Sequence, residues 1–232
     1  MKKIVQILSL ALIVTSCSVN SKLVCHYAFN GNGTDKSKNG WHLPIDNNQF
    51  SLDKNGIKNQ ALKIDSVPIS FKGDSSNYDL PISFSFWIKF DKLNPSILGL
   101  GVSENKQTGI WFSLGKSTKT NNKIAINIGN GGRPNPNSRK TFIANQPIKK
   151  NKWYHIVATI DRQTNMQIYL DGELQDGFYS GNSKTFKFGP KNNFLGKVWK
   201  SDDMFLGSID DFRIYTTNLK EKHVKKLLLT PK

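Results

Sequence analysis

The nine residues Ile82-Ser83-Phe84-Ser85-Phe86-Trp87-Ile88-Lys89-Phe90 constrain the fold more than any other stretch. In extended backbone, Ile82, Phe84, Phe86, Ile88 and Phe90 share one face and Ser83, Ser85, Trp87 and Lys89 the other, whereas at helical pitch the large apolar groups would wrap the whole cylinder. A strand with one such face needs a second layer to cover it. Shorter runs of the same kind lie at Leu23 to Phe29, Ala61 to Ile64, Val67 to Phe71, Ile110 to Leu114, Lys123 to Ile128 and Thr141 to Ala144. Turn formers recur roughly every eight to twelve residues, the spacing of a β-sandwich or barrel. Trp153 to Asp161 and Met166 to Leu170 flank Arg162 to Asn165 as a hairpin, and Asp171-Gly172 supplies a turn of positive φ. Phe205 to Tyr215 reads as one more long strand. Leu219 to Leu229 reads as the single helix, with Asn218 placed to cap it and Val224, Leu227 and Leu228 to pack inward. Gly129 to Arg139, rich in Gly, Pro and Asn, reads as a surface loop, and no internal repeat is evident.

The N-terminus has a different character. Lys2 and Lys3 precede an apolar run from Ile4 to Val14, broken only by Gln6 and Ser9. That is the build of a secretory signal, too short to span a bilayer stably. It closes on Val14-Thr15-Ser16-Cys17, which resembles the lipobox of bacterial lipoproteins, whose cysteine is acylated and becomes the mature N-terminus; the other readings are an ordinary signal with an incidental cysteine, or a short core helix. The expected layout is a signal peptide over 1–16, a lipidated N-terminus and tether over 17–22, and one domain over 23–232. At about 0.8 kcal/mol per buried CH2, several acyl chains make a lasting anchor. Ser18, where an inner-membrane retention signal has Asp, points to the cell envelope and its outer membrane.

Cleavage leaves 216 residues and no second apolar run able to span a membrane. Cys17 and Cys25 are the only cysteines, so once the first is lipidated no intramolecular disulfide remains and stability must come from core area. Loss of Lys2 and Lys3 lowers the formal charge from +16 to +14. The lysines are spread along the chain, which is the pattern of a solvated surface and not of a nucleic-acid site; long-range attraction to acidic polysaccharide, lipopolysaccharide or anionic headgroups would depend on salt.

Five blocks in order resemble the bacterial laminin G-like, concanavalin A-like jelly rolls. Tyr27-Ala28-Phe29-Asn30-Gly31-Asn32-Gly33-Thr34-Asp35-Lys36-Ser37-Lys38-Asn39-Gly40 is similar to their opening strand and loop, departing at Lys38 where Gly is usual. Gly56 to Ile64, Ile82 to Lys89, the hairpin from Trp153 to Gly172, and Gly207-Ser208-Ile209-Asp210-Asp211-Phe212-Arg213-Ile214-Tyr215 with Leu219 follow in family order. The resemblance runs from about Leu23 to Leu229. It implies an all-β, two-sheet antiparallel sandwich with a short C-terminal helix, and a structural calcium ion between the first loop and the closing strand. Asp35 and Asp210 are the expected ligands, with Asn30 and the Gly40 carbonyl as additions; Ca2+ wants six to eight oxygens. In the other reading Asp35 forms an Asx turn and Asp210 pairs with a nearby cation. Asp202-Asp203 is a lesser ligand source.

Many folds of this class cleave glycans, which takes two facing carboxylates about 5 to 9.5 Å apart. Glu104, Glu173 and Glu221 are isolated, and Asp210 and Asp211, being adjacent, are expected on opposite faces. His26, His42, His155 and His223 lack metal spacing, and no nucleophile motif occurs. The expectation is therefore a non-catalytic, membrane-anchored carbohydrate-binding lipoprotein; the alternatives are a protein-binding, adhesin-like module and, last, an enzyme. Trp87 and Trp153 coincide with core positions of the family, while Trp41, Trp111 and Trp199, near loops and strand ends, are the candidates to stack a sugar ring. Tyr179, Arg133 and Arg139 are lesser candidates, and Cys25 is expected to be a small buried hydrophobe.

Overall fold

The computed structural model describes residues 22–46, 49–93, 96–190, 192–199 and 204–230; the signal segment, Cys17 and Asp202-Asp203 lie outside them. Two antiparallel sheets face each other across an apolar core. The first orders β12(Glu173–Leu174), β11(Met166–Leu170), β10(Trp153–Ile160), β5(Ile82–Lys92), β15(Leu206–Tyr215), β3(Ala61–Ile64) and β2(Phe50–Ser51), with β1(Leu23–Tyr27) also pairing with β15. The second orders β13(Gly177–Ser180), β9(Arg139–Pro147), β8(Lys123–Gly129), β7(Ile110–Leu114), β6(Ser96–Leu100), β14(Phe194–Leu195) and β4(Ile69–Ser70). The helix α1(Glu221–Leu229) follows β15.

The period-two face of β5 does what its pattern requires. Ile82, Phe84, Phe86, Ile88 and Phe90 are all buried in the main core cluster. Phe112 of β7 meets Phe84 and Phe86 edge-on at 5.1 and 5.6 Å, so the two sheets interlock through aromatic rings. The expected hairpin forms with Ile160 opposite Met166. Asp171 and Gly172 both take positive φ, 51° and 87°, the turn that joins β11 to β12 without splaying them. Cys25 is fully buried in the core as a free thiol.

Two local expectations are corrected. Asn218 does not cap α1: Lys220 is the N-cap, and its backbone N–H donates to His223 Nδ1 at 3.1 Å, half of a capping box built on histidine. The first strand stops at Tyr27 because Phe29 turns into the left-handed region at φ 52°. No helix among the described residues is long and apolar enough to cross a membrane.

Candidate functional site

Opposite the core, the seven-stranded sheet presents small polar side chains instead of long ones. Register places Gly99, Trp111, Asn127, Thr141 and Ser180 in one outward row across five strands, with Ser96, Ser113, Ala125 and Ile143 in a second. The Asn127 side chain ties the rows together. It donates to the Trp111 carbonyl (3.1 Å) and Ser113 Oγ (3.3 Å), and its Oδ1 accepts from Thr141 Oγ1 at 2.7 Å. Two depressions of about 490 and 270 Å³ lie over this floor and share Ser113, Lys116, Asn127 and Arg139, so they form one furrow.

Tryptophan walls one end of it. Trp111 is only 4 % exposed and packs with Val102 and Val198, so it offers no free face. Trp199 meets it edge-on at 5.3 Å, is held by donation from Nε1 to the Ser103 carbonyl at 2.9 Å, and remains partly exposed. Of the two expected stacking residues here, Trp111 is therefore the support and Trp199 the surface. Gln107 lines the same end, is 6 % exposed, and its Oε1 has no hydrogen-bond partner among the described residues. A buried acceptor left open costs about 1–3 kcal/mol until something donates to it. No Asp or Glu lines the furrow among the described residues.

Trp41 belongs to a different cleft, about 540 Å³ in volume, with His42, Phe71, Lys72, Asp74 and Asn77. Its ring is half-buried and edge-on to Tyr78 at 6.1 Å, and its carbonyl accepts from Tyr27 Oη. The three tryptophans thus do not make one site.

The acidic residues sit elsewhere again. Asp35 accepts four hydrogen bonds: Oδ1 from the His26 and Ser37 N–H groups at 2.9 and 2.8 Å, Oδ2 from Ser37 Oγ and the Trp41 N–H at 2.7 and 2.9 Å. The Ser37 contact is an Asx turn. Burial pushes this carboxyl up, but the four donors outweigh it and hold it below its ordinary value. Every donor comes from β1 or the loop itself, none from β15. Asp210 lies across the sheet opposite Trp87 and is fully buried. The described residues hold no group of three or more His, Cys, Asp or Glu placed for a metal. A calcium ion at Asp35 would compete with these four donors. Of the expected additions, Asn30 Oδ1 is buried without a hydrogen-bond partner among the described residues, while Gly40 takes φ 62° and serves the loop's turn.

The expected placement of Asp210 and Asp211 on opposite faces is wrong. Asp211 takes φ 48° in a bulge between Asp210 and Arg213, and the extra residue keeps both carboxylates on the outer layer of the eight-stranded sheet. There Asp211 Oδ1 binds His26 Nε2 at 2.8 Å and Arg213 Nη2 at 2.9 Å, while His155 Nε2 lies 3.0 Å from Ser85 Oγ. Trp87 and Trp153 are on this same outer layer and not in the core, half-buried under the ammonium groups of Lys54 (4.5 Å) and Lys89 (5.6 Å). The pattern of β5 already put Trp87 opposite the core face.

Gln107 and Asn127 were not singled out from the sequence. The signal for Asn127 was its outward position within the apolar run Ile124 to Ile128; for Gln107 there was none, because a loop places it.

A two-sheet antiparallel jelly roll of this kind is the architecture of concanavalin A-like domains. The chain belongs to the Concanavalin A-like lectin/glucanases superfamily, whose profile matches residues 58–225 and so takes in the hairpin and closing strand but not the opening loop. No curated protein sequence matches it. Among solved structures it is similar to domain 4 of AbnA, an extracellular arabinanase from Geobacillus stearothermophilus solved in complex with arabinotriose: 20 % identity, TM-score 0.62, 89 % of this chain and 98 % of that one. It is similar to the binding domain of botulinum neurotoxin serotype C1 at 19 % identity and TM-score 0.66, and to that of Paraclostridial Mosquitocidal Protein 1 at 19 % and 0.65. Each of these two alignments covers 91 % of this chain and 52 % of the toxin domain, so the chain spans about half of those domains. At such identities the likeness is one of fold.

Proposed function

We propose that the protein is a non-catalytic carbohydrate-binding lipoprotein of the cell envelope, and that its glycan lies in the outer furrow of the seven-stranded sheet. The observation that carries this reading is that a partly exposed Trp199 and a Gln107 whose buried Oε1 has no hydrogen-bond partner among the described residues line the same depression over a hydrogen-bonded polar floor. A sugar ring matches both needs, with an apolar CH face for the indole and hydroxyl donors for the amide oxygen. The arabinotriose held by the arabinanase domain, which this chain matches over nearly its whole length, supports a glycan partner for this fold. Among the described residues no Asp or Glu lines the furrow, whereas hydrolysis needs two facing carboxylates, which favours the binding reading at this surface.

The test is Trp199→Ala in a glycan-binding assay. The variant should keep its fold and lose roughly tenfold or more in affinity, about 1.4 kcal/mol, the loss expected of an aromatic anchor. Unchanged affinity would remove Trp199 from the site, and no glycan affinity in the parent protein would favour the protein-binding reading. The anchor is a separate proposal resting on Val14 to Cys17: labelled palmitate should enter the wild-type protein and not Cys17→Ser, and incorporation that survives the substitution would overturn it.

A further inference from the structure

We infer that the glycan is acidic and that Arg139 reads its charge, an inference that rests on the furrow being the sugar site. Arg139 opens β9 and, with Thr141 and Ile143, points out over the furrow, where it lines both depressions. Its Nε is buried without a hydrogen-bond partner, and its guanidinium has no ion pair among the described residues. The other arginine held this closely, Arg213, is neutralised by Asp211 at 2.9 Å. A guanidinium taken partly out of water without a counter-charge is costly, and no Asp or Glu among the described residues lines the furrow to offer Arg139 one. An oxyanion on a bound sugar supplies it, and the planar fork of Arg suits a carboxylate or sulfate through two parallel hydrogen bonds. The remaining lining divides by chemistry: Trp199 for the ring face, Gln107 Oε1 for a hydroxyl, Arg139 for the acid. The basic charge of the whole chain attracts any polyanion from afar, but that attraction is diffuse and screened, whereas Arg139 discriminates at one ring.

The experiment uses the full-length protein in detergent and two matched pairs of short probes, trigalacturonate against its methyl ester and sulfated against unsulfated cellotriose, with affinities measured calorimetrically. The charged member of at least one pair should bind about tenfold more tightly than its neutral partner, the scale of one charge-assisted contact. Which pair responds distinguishes a uronate from a sulfate ester. Arg139→Gln should erase the preference, Arg139→Lys should retain part of it, and Lys152→Gln, which removes an exposed charge beside the other sheet, should leave it intact. Equal affinity within both pairs, or a preference that survives Arg139→Gln, overturns this inference while leaving the furrow as a neutral glycan site. Failure of all four probes, with no neutral sugar bound either, overturns the furrow reading itself. Should Arg139→Gln not fold, the wild-type comparison and Arg139→Lys decide.

Discussion

Asp35→Ala should destabilise the domain by about 3 kcal/mol or more, seen as a melting temperature lower by roughly 6 to 12 °C for a chain of this size. The reason is the crowding of donors on one carboxylate. Asp35 fastens β1 through the His26 N–H, shapes its own turn through Ser37, and holds the chain at Trp41, so its loss releases four hydrogen bonds to an ionised group at once. Asp35→Asn, which keeps the shape but turns an NH2 toward donors, should recover only part of the loss. The same variant separates the two readings of this residue. If the carboxylate works through its hydrogen bonds, the gap between wild type and Asp35→Ala persists in excess chelator. A gap that closes in chelator, because the wild type falls to the level of the variant, would instead put calcium at this loop.

Acidification should cost about 3 kcal/mol through His155 alone. Burial, with the nearby cations Arg213 and Lys54, outweighs the pull of Asp211 and lowers this imidazole from its ordinary value of 6.5 to about 4. A folded-state value below the unfolded one means stability that is complete above about pH 6.5 and lost progressively as pH falls toward 4, because the unfolded chain takes up the proton first. At 1.36 kcal/mol per unit, the shift sets the scale of the loss. Geometry agrees: Nε2 lies against Ser85 Oγ, and Nδ1 is buried without a hydrogen-bond partner among the described residues, so a second proton is left unsolvated. Asp211 and Asp35, both held below the ordinary carboxylate value, extend the loss in the same direction at lower pH. Melting temperature followed from pH 7 to 4 should fall for the wild type and much less for His155→Gln. A flat wild-type profile over that range would contradict the assignment.

The sheets were legible because period two is a backbone property: β3, β7 and the β10–β11 hairpin lie where alternation and turn residues place them. Short pieces such as β13 and β14 were less legible, since two to four residues carry little pattern and are held by their neighbours. The bulge at Asp211 escaped for a similar reason: one residue at positive φ reverses which face its neighbours occupy, and no side chain announces it. The candidate site divides in the same way. Trp199 was visible as a residue type near a loop, while its support by Trp111 and its company with Gln107 and Arg139 arise from register across strands far apart in sequence.

The most direct test of the furrow as the glycan site is to follow the indole N–H signals of the five tryptophans by NMR during titration with an oligosaccharide that the protein binds. The account predicts that the Trp199 signal shifts with saturation while those of Trp87 and Trp153, on the outer layer of the opposite sheet, stay in place. A titration that moves Trp41 and leaves Trp199 unmoved would put the sugar in the cleft beside Phe71 and Lys72 and contradict the central claim.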